Sequence, residues 1–99
     1  MSDKWQTILG AGKDALLELL GPALEGAEGD VKAWGQTILQ NAAEALQRGD
    51  QVVLGNLGNQ VRTLAEINRI RLSSGFTWDG ILDKVLIVGK LVAAIAPLF

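Results

Sequence analysis

The last twenty residues set the tightest limit on how this chain folds. From Gly80 to Phe99 the sequence reads Gly-Ile-Leu-Asp-Lys-Val-Leu-Ile-Val-Gly-Lys-Leu-Val-Ala-Ala-Ile-Ala-Pro-Leu-Phe, and after Lys84 the sole charge is Lys90. On a helical wheel Asp79, Asp83 and Lys90 share one stripe. Ile81, Val85, Val88, Val92, Ile95 and Phe99 lie opposite, and Leu82, Leu86, Ile87, Leu91 and Leu98 fill the flanks. A helix that is apolar around most of its circumference has to be covered, whether by other helices, by another subunit or by lipid. Thr77 is placed to cap it, with Asp79 in the first turn.

The segments before it read as ordinary amphipathic helices. Trp5, Ile8, Leu9, Gly12, Leu16, Leu19 and Leu20 fall on one face of a first helix, with Ser2 as its cap, and Gly21-Pro22 ends or kinks it. Gly26 to Gly29 reads as a connector. Asp30 then caps a second helix with a narrower stripe of Trp34, Ile38, Ala42, Ala45 and Leu46, stopped by Gly49. The two helices share a fragment: Trp5-Gln-Thr-Ile-Leu9 recurs as Trp34-Gly-Gln-Thr-Ile-Leu39 with one inserted glycine, which fits a duplicated helix with equivalent docking faces.

A third helix is expected from Asp50 to Leu72. Leu54, Leu57, Val61, Leu64 and Asn68 follow the alternating three-and-four spacing of a coiled coil, in which a polar Asn fixes register. Gly55 and Gly58 weaken its start by about 1 kcal/mol each relative to Ala, so packing has to offset them. Ser73-Ser-Gly-Phe76 reads as a turn. The expectation is an all-α fold in a single domain, 1–99, with helices near 3–20, 31–48, 50–72 and 77–96 and room for a short fifth after Pro22. These helices form either a compact bundle or an extended helical subunit of an oligomer.

Composition narrows the function. The chain has no Cys, His or Tyr. Thiol nucleophiles, disulfides and thiolate metal sites are therefore excluded, and the usual general base near neutral pH is missing. Charge is uneven: residues 1–50 carry four cationic side chains against eight acidic ones, and residues 51–99 carry five against three. Such a split suits head-to-tail subunit contacts or an anionic surface near the C-terminal half. No basic segment followed by an apolar core opens the chain, so no secretory signal is read. The chain is expected in the cytoplasm or within a large assembly, with membrane association as the alternative.

Short motifs add little chemistry. Gly10-Ala-Gly-Lys13 resembles the end of a phosphate-binding loop but lacks the earlier glycine and the following Ser or Thr. Gly55-Asn-Leu-Gly58 has the form of a backbone clamp in nucleic-acid-binding KH domains without the sheet or the flanking basic residues. Arg48-Gly-Asp50 coincides with a helix end and the next helix start. Glu25, Glu28 and Asp30 do not follow the spacing of a calcium loop. No catalytic residue, metal ligand or cofactor site is assigned, and neither a specific nucleic acid nor a small-molecule substrate is expected.

Two functional classes remain, with a soluble helical adaptor as a third. The first is a non-catalytic structural or assembly protein, whose partners are copies of itself or other protein subunits. Its contacts would be Leu54, Leu57, Val61, Leu64 and Asn68 on the third helix, and Val85, Leu86, Val88, Val92, Ile95 and Phe99 on the last. The second is a membrane-active protein of the pore-forming, ejection or holin type that inserts residues 81–99. Trp78, Lys84, Lys90, Leu91 and Leu98 would then meet lipid. A span needs about 20 mainly apolar residues, and a lysine at its middle costs roughly 2.5–3.5 kcal/mol. In size, glycine content and apolar end the chain looks like small helical subunits of viral particles, secretion machines and membrane-perforating complexes.

Overall fold

The computed structural model describes residues 2–98, and side chains from residue 4 to 97. Four helices follow one another: α1 (Ser2–Leu20), α2 (Glu28–Arg48), α3 (Gln51–Ile67) and α4 (Trp78–Ile95). They form an all-α bundle with a radius of gyration of 12.8 Å, close to the roughly 13 Å expected of a folded chain of this length. This is the compact alternative rather than the extended one.

The helices make a diamond in cross-section. α2 and α4 lie along each other on the short diagonal, and α1 and α3 each pack against both. The apolar last helix is thus covered by three neighbours. Its Ile81, Val85, Val88 and Val92 are buried with Leu9 and Leu16 of α1, Ile38, Leu39 and Ala42 of α2, and Leu57 and Val61 of α3.

Each helix contributes one glycine to a close helix–helix contact. A methyl group on Gly12 of α1 would strike Val92 at 2.6 Å; on Gly35 of α2 it would meet Leu17 at 3.0 Å. On Gly58 of α3 it would meet Leu82 at 3.3 Å, and on Gly89 of α4 it would meet Ala42 at 3.2 Å. The glycine inserted into the repeated Trp–Thr–Ile–Leu fragment, Gly35, is therefore the seat for Leu17. Ile8, Leu9, Ile38 and Leu39 of the two copies are all buried. Trp34 is buried too, two turns into α2, and its Nε1–H donates to the Val61 carbonyl at 3.0 Å, tying α2 to α3.

Several boundaries agree with the local chemistry of the sequence. Asp50 caps α3, its carboxylate accepting from Val53 N at 3.1 Å, and the Thr77 hydroxyl caps α4 by accepting from Gly80 N at 3.1 Å. Gly49 closes α2 in the left-handed region, with Asp50 N donating to the Ala45 carbonyl. The cap expected of Ser2 concerns a side chain outside the described residues.

Three boundaries differ from expectation. α2 begins at Glu28, not Val31, with Ala27 rather than Asp30 at the cap. Asp30 and Glu28 instead occupy the first turn, where carboxylates stabilise the free amide end, and Glu28 pairs with Lys32 at 3.2 Å. The segment after α1 is a single 3-10 turn, Gly21–Ala23, not a fifth α-helix. α3 stops at Ile67 instead of Leu72, because Arg69 takes a left-handed backbone conformation (φ 59°) that turns the chain back. Ile70 then enters the core, and Arg71–Leu72 (β2) pairs antiparallel with Leu24–Glu25 (β1), Glu25 facing Arg71. Asn68 is the C-terminal cap of α3, with Nδ2 donating to the Leu64 carbonyl at 2.7 Å. It is not a register-setting residue between subunits.

Candidate assembly groove

The two apolar flanks of α4 have different fates. Leu82 and Leu86 on one flank lie half-buried against the core, Leu82 beside Gly58 of α3. The other flank runs through Ile87, Leu91 and Ile95, which are 53%, 58% and 40% exposed. With α1 it forms an open groove of about 710 Å³. Ile8, Gly12, Val88 and Val92 make its floor.

The middle of the α1 wall is built from small side chains. Lys4, Thr7, Ala11 and Ala15 succeed one another along it, and Leu19, 52% exposed, stands at its far end. The methyl-sized wall is what leaves the groove open: long side chains at positions 11 and 15 would cover Ile87 and Leu91. Among the described residues the other exposed large apolar side chains, Val52, Ile67 and Phe76, lie on α3 and the turn before α4, away from this groove. Scattered apolar residues of that kind are normal on a protein surface, whereas apolar residues gathered along one groove make it the candidate contact site.

The residues expected to join subunits divide three ways. Leu57, Val61, Val85, Val88 and Val92 are buried. In this fold they hold the chain's own helices together, because the diamond turns both apolar stripes inward; only Val88 and Val92 also reach the groove, from its floor. Leu54, Leu64 and Leu86 are half-buried, the last two against the same core. Ile95 is the one described member on a groove wall. The side chain of Leu98 and all of Phe99 lie outside the described residues.

Of the residues expected to meet lipid, Trp78 is half-buried against the core and Lys84 and Lys90 are exposed. Leu91 is the most exposed of the large apolar side chains of the groove. Among the described residues no helix is long and apolar enough to cross a membrane.

Sequence reasoning missed the α1 half of the groove. Its signal was available: Ala11, Ala15 and Leu19 recur every four residues, one helix row away from the core stripe of Leu9, Leu16 and Leu20.

Across the molecule, the α2/α3 edge is polar. Thr37, Asn41, Asn56, Asn59 and Gln60 line a shallow depression there, with Asn41 Nδ2 donating to Gln60 Oε1 at 3.2 Å. The motif-like segments are structural in place: residues 10–13 lie within α1 and 55–58 within α3. Among the described residues no cluster of three or more acidic side chains is positioned to hold a metal ion.

No family model, curated protein or solved structure matches this chain. Function is therefore read from the groove itself.

Proposed function

We propose that this protein is a non-catalytic structural subunit that assembles with further copies of itself through the apolar groove between α1 and α4. The observation that carries this reading is the set of half-exposed Leu19, Ile87, Leu91 and Ile95 lining one groove, on a molecule whose other described large exposed apolar residues lie elsewhere. Covering such a row removes apolar area from water at about 25 cal/mol per Å² before the costs of association. The composition supports a non-catalytic role in this reading, since the chain holds no His or Cys.

The test is the mass of the full-length protein by light scattering after size exclusion, without detergent, with and without anionic lipid vesicles. A multimer of defined mass that ignores vesicles, and that becomes monomeric with unchanged helix content in Leu91→Asp, is the expected result. A wild-type protein that stays monomeric up to high micromolar concentration overturns the reading. So does one that leaves solution for the vesicles, which would make the groove a lipid-contacting face.

A further inference from the structure

Resting on that reading, we infer that the groove is covered by one second copy, docked antiparallel about a twofold axis at the level of Ala11 and Leu91. The argument begins with α1. Lys4, Thr7, Ala11, Ala15 and Glu18 are spaced three, four, four and three residues apart, so they share one side of the helix and read the same from either end in spacing. They do not read the same in charge: the row begins with a cation and ends with an anion. Two such rows laid antiparallel place Ala11 on its own copy, Thr7 on Ala15 of the second copy, and each Lys4 opposite a Glu18. Opposite charges then meet at both ends of the contact.

This pairing cannot form within one chain. Lys4 and Glu18 are separated by about 21 Å of helix, and among the described residues neither makes an ion pair.

The α4 wall has the same centre. Ile87, Leu91 and Ile95 are evenly spaced about Leu91, and the contact of Gly12 with Val92 and Val88 sets Leu91 level with Ala11. One axis lying in the face, perpendicular to both helices, therefore satisfies both rows: α1 meets α1, and α4 meets α4 with Leu91 on Leu91 and Ile87 on Ile95. The small side chains at the middle of α1 allow the two α1 backbones to approach closely. A lipid surface answers only the cationic end of the α1 row, and an unrelated helix has no reason to carry the reversed charge order. A closed twofold dimer is also the commonest soluble homo-oligomer.

Charge reversal tests the geometry. Glu18→Lys and Lys4→Glu should each weaken self-association about tenfold. Mixing the two single variants should give a heterodimer at least as tight as the wild type, since both ends are then complementary, and the doubly reversed chain should dimerise with itself. The wild-type mass should be twice 10.5 kDa. A trimer or larger ring, or a dimer in which the mixed variants show no preference for each other, overturns this arrangement while leaving assembly through the groove intact. A monomer at all concentrations overturns both. Helix content measured on every variant separates loss of association from loss of folding.

Discussion

At the scale of single residues, this bundle is governed by where a methyl group fits. Gly12 sits where a Cβ would fall 2.6 Å from Val92 and 3.0 Å from Leu39, and Val92 is a β-branched residue on a helix with little rotamer freedom. Gly10, half a turn away on the same helix, has open space around its missing Cβ. Gly12→Ala should therefore lose about 1–3 kcal/mol to overpacking against at most about 1 kcal/mol of helix-propensity gain. Gly10→Ala should gain roughly 0.5–1 kcal/mol with nothing to offset it. Thermal melts followed by circular dichroism should move in opposite directions, and a common direction would contradict the close α1–α4 contact. No count of glycines distinguishes these two sites. The difference lies in which face of α1 meets α4, a tertiary fact that helical periodicity approximates only when the neighbour is known.

At the scale of elements, three caps were legible, whereas the start of α2 and the end of α3 were not. Asp50, Thr77 and Gly49 act where their side-chain or backbone chemistry predicts, because a cap is decided within four residues of chain. The end of α3 was over-read: the spacing through Leu54, Leu57, Val61 and Leu64 continues to Asn68, and nothing in that periodicity announces a stop. The counter-signal is Arg69-Ile-Arg-Leu72, which alternates charged and apolar residues as a strand does. What decides between them is the pairing of Arg71–Leu72 with Leu24–Glu25, residues distant in sequence. Arg69 carries the cost of the turn, holding a left-handed conformation that glycine adopts freely. Arg69→Gly should leave the fold unchanged and raise stability by up to about 1 kcal/mol in urea titration. A clear loss would show that the Arg69 side chain has a stabilising role of its own.

At the scale of the whole molecule, the apolar last helix resolves into two parts. The need to cover it was plain from composition; how it is covered was not, because a helical wheel shows how apolar a helix is and not how many neighbours it has. Most of it closes the diamond and one flank remains for the groove. The neighbouring positions 91 and 92 separate these roles. Val92→Asp puts an unpaired carboxylate into the core and should abolish the cooperative unfolding transition, whereas Leu91→Asp should retain it. Equal effects on folding would mean that the two faces of α4 are not distinct.

The diagonal contact of α2 with α4 also has a meaning in time. α4 follows the three helices that it joins, so during synthesis α1, α2 and α3 are all made before the partner of Ala42 and Leu46. At roughly 5–20 residues per second, a few seconds separate the end of α3 from the end of α4. For that interval the bundle lacks the helix that closes it, so the cooperative fold waits on the last residues of α4.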